Sequence, residues 1–216
     1  MAQRPVFVPS TSGSILVEEV PIRFDWHPGL APSQKKKNVI ELHHAAMEQG
    51  LTPLLEISSR SELEAGQKLS AFYLKIRIEG RQTTVECAYQ GSKVFEHGGP
   101  YTDLYWVESR EAKRDERLKT SGKLIGFEFE GDKYPISPTT VFYDWLYFKA
   151  LYPHRDWLRR LQQCAGFTDI EFNPARSLNC QARSCAAFIS LQKRELLDDA
   201  MSSFQKFRSL MQASMI

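Results

Sequence analysis

The clearest periodic signal lies at residues 72–79, where Phe72, Leu74, Ile76 and Ile78 alternate with Tyr73, Lys75, Arg77 and Glu79. A period of two sends neighbouring side chains to opposite faces, so this segment predicts a strand with one face on a core. Near the start, Val6-Phe7-Val8 and Ile15-Leu16-Val17 flank Pro9-Ser10-Thr11-Ser12-Gly13-Ser14 and predict a hairpin with a small polar turn. Ile125 to Ile136 predicts a second hairpin around Gly131-Asp132. Helices are predicted from about Ser33 to Gly50, Thr84 to Glu96, 138 to 152, 154 to 165 and Cys180 to Leu191, with a further one running to the C-terminus. Pro32 suits the start of the first helix and Gly50 its end, and Asn179 stands where a cap for the Cys180 helix belongs. Leu51 to Ser58 reads as a short buried strand, 60–68 as a turn of helix, and Ile170 to Ser177 as a short strand or loop. Helices outnumber strands, and the strands sit in hairpins rather than alternating with helices. The expectation is therefore an α+β fold, a mostly helical single domain over 1–216 with an N-terminal β-hairpin and C-terminal helices.

Composition narrows the function classes. The 216 residues carry 28 Lys and Arg against 26 Asp and Glu, and a formal net charge of +2 is too small to indicate nucleic-acid binding by itself. No apolar h-region follows Met1-Ala2-Gln3-Arg4-Pro5 and no run approaches membrane-spanning length, so a cytoplasmic protein without membrane contact is expected. Cys87, Cys164, Cys180 and Cys185 form no Cys-x-x-Cys pair, which predicts reduced thiols and neither a metal site nor a disulfide framework. Gly-x-Gly-x-x-Gly, Walker and Gly-x-Ser-x-Gly motifs are missing, which removes most nucleotide-dependent kinases, dehydrogenases and serine hydrolases. No cofactor is expected.

Three places could carry chemistry. Gln34-Lys35-Lys36-Lys37-Asn38 puts three cations in the first turn of a predicted helix, the end where the macrodipole disfavours positive charge and an anion would reverse the penalty. A solvated charge run is the plainer reading, although Lys35 shares a face with Val39 and Leu42. In the second place, Glu86, Gln90 and Lys93 share one predicted helical face, an acid, an amide and a cation together. Thr83 followed by Glu86 is also a capping-box pattern, which needs no ligand. The third is Asn173 to Ser184, a polar loop entering a helix whose small residues Ala182, Ser184, Ala186 and Ala187 permit close approach by a ligand or, more commonly, a neighbouring helix.

The block from Leu69-Ser70-Ala71-Phe72 through Thr84-Val85-Glu86-Cys87-Ala88-Tyr89-Gln90-Gly91-Ser92-Lys93-Val94-Phe95 resembles the core of the NADAR superfamily. Nearly the whole chain is similar to the NADAR antitoxins encoded beside DarT-type DNA ADP-ribosyltransferase toxins. Phe24-Asp25-Trp26-His27-Pro28-Gly29, Gln34 to Asn38, Gly98 to Tyr105, Glu111 to Asp115 and Asn179 to Cys185 carry that similarity. The resemblance implies an α+β NADAR fold and a glycohydrolase that removes ADP-ribose from guanine bases in DNA, reached as a single strand or flipped out of a duplex. It implies a lysine that forms a Schiff base with the open-chain ribose, assigned by motif position to Lys35 with Lys36 and Lys37 as alternatives, and a carboxylate, Glu86, that stabilises charge and exchanges a proton. Lys36, Asn38, Gln90, Lys93, Asn179, Gln181 and Arg183 would hold the ribose and diphosphate, with Tyr101 and Asp103 as lid contacts. ADP-ribose would be the product and a cognate toxin a partner. Two other readings stay open: an N-glycosidase on small ribosylated riboflavin-pathway intermediates, and a non-catalytic antitoxin that binds its toxin through Phe204, Phe207, Leu210 and Met211.

Overall fold

The structure is a computed structural model that describes residues 1–29, 31–175 and 177–213. Its elements begin with β1 (Ala2–Pro9), β2 (Val17–Phe24), α1 (Pro32–Met47), β3 (Leu54–Glu56) and α2 (Glu64–Lys68). There follow β4 (Lys75–Ile78), β5 (Arg81–Thr84), α3 (Val85–Gly91), β6 (Lys93–Phe95), α4 (Ser109–Arg114), α5 (Arg117–Thr120), β7 (Leu124–Phe129), β8 (Asp132–Tyr134) and α6 (Val141–Leu151). The chain closes with α7 (Arg155–Leu158), β9 (Gly166–Thr168), α8 (Gln181–Lys193), α9 (Leu197–Met201) and α10 (Phe204–Ala213). The class is α+β. The chain divides into two compact units, one made of Met1–Ser70 and His154–Ile216, the other of Ala71–Pro153. No helix among the described residues is long and apolar enough to cross a membrane.

The unit built from both chain ends carries a four-stranded sheet in the order β2-β1-β9-β3. β1 and β2 pair antiparallel from Ala2 with Phe24 to Pro9 with Val17, so the expected hairpin is present with its second strand starting at Val17. The intervening turn is held by Arg194, whose guanidinium donates to the carbonyls of Ser10, Ser12, Gly13 and Ile15 at 2.6 to 3.1 Å. Val6, Ile22 and Phe24 pack against Val39, Leu42 and Ala46 of α1, which explains the apolar stripe along that helix. The segment 170–177, read as a short strand or loop, is a loop over its described residues, and just before it β9 pairs in parallel with β3. Gly166 lets β9 sit against β1, because a Cβ there would come within 2.7 Å of Val6 Cγ1. α8 starts without a side-chain cap, with Cys180 at the N-cap position, so Asn179 does not cap it. Its small residues Ala182, Ser184, Ala186 and Ala187 are buried, as tight helix packing requires. Phe207 and Met211 of α10 are also fully buried, so they face the interior and do not form an open docking stripe.

In the unit Ala71–Pro153, β4 and β5 form a two-stranded hairpin and β6-β7-β8 a three-stranded sheet. Leu74, Ile76 and Ile78 are buried while Tyr73, Lys75, Arg77 and Glu79 are exposed, as the alternation predicts. The hairpin around Gly131 forms as expected and buries Phe127 against Phe142 of α6, with ring centroids 4.4 Å apart. The helix predicted to reach Glu96 ends at Gly91, and Lys93–Phe95 becomes a strand paired with β7. A Cβ at Gly91 would meet the Tyr105 ring at 2.5 Å, so this position is set by a close approach rather than by helix propensity. The helix predicted over 154–165 is the short α7 followed by a 3-10 turn at Arg159–Gln163.

Candidate functional site

α3 begins where backbone and side chain agree. The Thr84 hydroxyl accepts from the Cys87 N–H at 3.2 Å, and the N–H groups of Val85 and Glu86 donate to the carbonyls of Leu74 and Ala71, each at 3.0 Å. Thr84 is therefore the cap, and the hydroxyl of Thr83 donates instead to the Tyr105 carbonyl. The Glu86 side chain has no capping duty. It is 5 % exposed, and its Oε1 accepts from Gln90 Nε2 at 2.9 Å. Gln90 Oε1 accepts in turn from Lys93 Nζ at 2.7 Å.

The spacing thus brings Glu86, Gln90 and Lys93 together although Lys93 stands on β6 and not on the helix. Lys93 Nζ lies 4.7 Å from the centroid of the Tyr89 ring. Its ammonium is destabilised mainly by burial; the Glu86 charge works against this and the Lys113 charge adds to it, so the pKa is pushed down to about 8. At neutral pH about a tenth of such an amine is uncharged and nucleophilic. Lys113 Nζ sits 4.0 Å from Glu86 Oε1 and 5.1 Å from the centre of Phe72, whose carbonyl accepts from Ser109 Oγ at 3.1 Å. A buried carboxylate, an amide and a partly neutral amine in one hydrogen-bonded chain can exchange a proton and stabilise positive charge.

Tyr101 and Asp103 are joined by one residue. Arg117 lies 4.5 Å over the Tyr101 ring and donates to Asp103 Oδ2 at 2.6 Å, while the Tyr101 hydroxyl bonds to Ser121. Asp103 is exposed, so this pair forms a charged, ordered rim within its unit.

In the other unit the α1 lysines separate by burial: Lys36 and Lys37 are exposed and Lys35 is half-buried. Lys35 Nζ is 5.5 Å from the centroid of the Trp26 ring, and Arg4 Cζ is 5.3 Å from it. Asn38 is fully buried, accepting from the His27 N–H at 2.7 Å and donating to the His27 carbonyl at 2.9 Å. It fixes the loop that leads into α1. Gln181 donates to the Ile57 carbonyl at 2.8 Å, accepts from Ser70 Oγ at 3.3 Å and bonds to Asp169. Arg183 pairs with Glu19 at 3.2 Å, and Asn179 Oδ1 is buried without a hydrogen-bond partner.

Two carboxylates here escaped the sequence reading. Glu56 accepts from Ser58 and Thr168 hydroxyls, both at 2.6 Å, and from the Ile170 N–H at 2.9 Å. Since the Thr168 proton goes to Glu56, His43 Nε2 must donate at 2.8 Å, which fits a neutral imidazole whose pKa burial pushes down to about 4. Asp169 accepts from the Glu171 and Phe172 N–H groups at 3.0 and 3.2 Å. Burial first, and then the Glu56 charge, push its carboxyl well above the usual range. The available signal was an acid ending a short apolar strand, Leu54-Leu55-Glu56, but its partner lies across 112 residues.

A raised carboxyl pKa means that the folded state binds more protons than the unfolded one, so stability is greatest below the ordinary value of 3.8 and is lost as pH rises through the folded value. Asp169→Asn keeps the Oδ1 acceptor and removes the charge. Its melting temperature is expected to exceed that of the wild type by an amount that grows with pH above 4, read by circular dichroism at pH 4 to 8; a constant or negative difference would contradict the buried-charge account.

A family model described as DarT1-associated NADAR antitoxin matches residues 2–216. No curated protein matches the chain.

Proposed function

Because the chain belongs to the DarT1-associated NADAR antitoxins, we propose that it hydrolyses the N-glycosidic bond between ADP-ribose and a guanine base in DNA, and protects by that chemistry. The observation that carries this reading is the chain from the buried Glu86 carboxylate through Gln90 to the Lys93 amine. Breaking the bond from C1″ to the exocyclic nitrogen builds positive charge on the sugar and requires a proton on the departing amine. Glu86 answers both needs.

On the Schiff-base route, a neutral lysine adds to C1″ of the opened ribose and guanine leaves with its nitrogen protonated, giving a C=N bond to the enzyme. Water then adds to that bond, releasing ADP-ribose as the aldehyde and restoring the amine. Motif position favours Lys35 as this amine. The hydrogen-bonded partner of Gln90, with its depressed pKa, favours Lys93. Lys36, Asn38, Tyr101, Asp103, Asn179, Gln181 and Arg183 remain proposed substrate contacts.

The test is incubation with a short single-stranded DNA carrying ADP-ribosylguanine, followed by mass spectrometry. Loss of the ADP-ribose mass is expected, and borohydride should trap an adduct on one lysine, mapped by peptide digestion. Lack of turnover, with cleavage of small ribosylated pyrimidines or protection by toxin binding alone, would overturn the reading.

A further inference from the structure

The β4–β5 hairpin presents Lys75, Arg77 and Arg81, which make no ion pair among the described residues. Lys75 and Arg77 alternate outward along β4, and Arg81 and Gln82 are exposed on β5. In the register, Arg77 stands opposite Gln82 and Ile78 opposite Arg81, so Lys75, Arg77 and Gln82 share the solvent face. Arg81 instead lies 3.9 Å over the ring of Trp106, which is 37 % exposed, and Tyr73 at the foot of β4 is 52 % exposed. The Thr83 hydroxyl bonded to the Tyr105 carbonyl fixes the Trp106 segment to β5.

We propose that the outward face of this hairpin, formed by Lys75, Arg77 and Gln82 with the exposed Tyr73 ring at its foot, holds the unmodified single strand that flanks the base acted on, while the Arg81–Trp106 stack lies on the opposite face. Unpaired cations along an extended ribbon match a phosphate backbone, and exposed aromatic and guanidinium planes match unstacked bases. β5 runs directly into α3, so a strand on the hairpin is led to the helix that carries Glu86. The acidic side of the same unit sets the limit of the track. Glu79, Glu128 and Glu130 line a cavity of about 270 Å³ with Ile78, Tyr105 and Phe129; Glu130 is paired with Lys149 at 2.7 Å, and the other two carboxylates repel phosphate at the hairpin tip. The exposed Tyr73 ring beside these cations favours a nucleic-acid strand over an acidic protein surface, which would meet the same cations but gain nothing from the ring.

This inference rests on the proposed nucleic-acid substrate, and its test separates the two. Fluorescence anisotropy with an unmodified single-stranded decamer reads the surface alone, and turnover of ADP-ribosylated guanosine reads the chemistry alone. The double variant Lys75→Gln/Arg77→Gln should bind the decamer about tenfold more weakly. Its log K against log salt slope should fall by about 1.4, from roughly 0.7 per phosphate contact. Guanosine adduct turnover should be unchanged. Trp106→Phe, which keeps a ring, should bind within about threefold of the wild type. Equal decamer binding by the double variant and the wild type, or capture of an acidic toxin that the double variant loses while strand binding persists, would overturn the proposal.

Discussion

Glu86→Gln is expected to lower kcat for ADP-ribose removal by about 10²–10⁴-fold, the usual contribution of a positioned acid or base. The substitution is close to isosteric, and the new amide oxygen can still accept from Gln90 Nε2, which is 2.9 Å from Oε1 in the wild type. The lost quantity is the negative charge. That charge faces the sugar in the proposed transition state and also partly restores the Lys93 ammonium against burial. Removing it pushes the Lys93 pKa below about 8, so the amine becomes more often neutral while turnover collapses. A variant that still traps a borohydride adduct, with its pH dependence displaced to lower pH, would show that Glu86 acts on proton exchange and charge rather than on building the site. A kcat within about threefold of the wild type would remove Glu86 from the chemistry. Thermal melts of the two proteins should nearly coincide, which separates a chemical loss from unfolding.

Much of this site was legible because its parts are close in the chain. Glu86, Gln90 and Lys93 lie within eight positions, and their spacing suffices to bring them together even though the helix stops at Gly91. The stop itself was hidden, since it comes with Lys93–Phe95 leaving the helix to pair with β7, whose Phe127 stands opposite Lys93. The alternation at 72–79 identified the inward residues of β4 because period two is a local consequence of strand geometry. The parallel pairing of β3 with β9 is different. Nothing local announces a partner more than a hundred residues away, and with that pairing went Glu56 and Asp169. Asn38 and Gln181 show a related difficulty: an amide reads alike in sequence whether it binds a ribose hydroxyl or a backbone carbonyl.

Lys93→Met is expected to raise thermal stability while abolishing the amine chemistry. The folded protein holds this amine at a pKa of about 8, against 10.5 for the free side chain, because burial disfavours the ammonium. Between these values the unfolded chain binds more protons than the folded one, so wild-type stability increases with pH across that window. Below about 8 the folded state carries the full cost of the buried charge, about 3 kcal/mol for the drop from 10.5 to about 8 at about 1.36 kcal/mol per pH unit. Methionine fills a similar volume without a charge but leaves Gln90 Oε1 without its donor, an offset of roughly 1 kcal/mol. The net gain at pH 7 should be about 2 kcal/mol, or roughly 4–8 °C in Tm for a chain of this size. The gain should shrink from pH 8 upward, cross zero roughly one unit below 10.5 and become a loss of about 1 kcal/mol near 10.5, where only the missing donor to Gln90 separates the two proteins. Matched calorimetric scans at pH 7, 9 and 10.5 would show this crossover. If Lys93 supplies the Schiff-base amine, the same variant loses at least about 10²-fold in turnover and forms no adduct. Lys35→Ala then keeps both. A Lys93→Met protein that is less stable at every pH would make the amine a structural hydrogen-bond donor to Gln90. An adduct that survives in Lys93→Met and disappears in Lys35→Ala would place the nucleophile on α1. Stability set against activity at one side chain is what a nucleophilic lysine requires, since the burial that lowers its pKa is the same burial that weakens the fold.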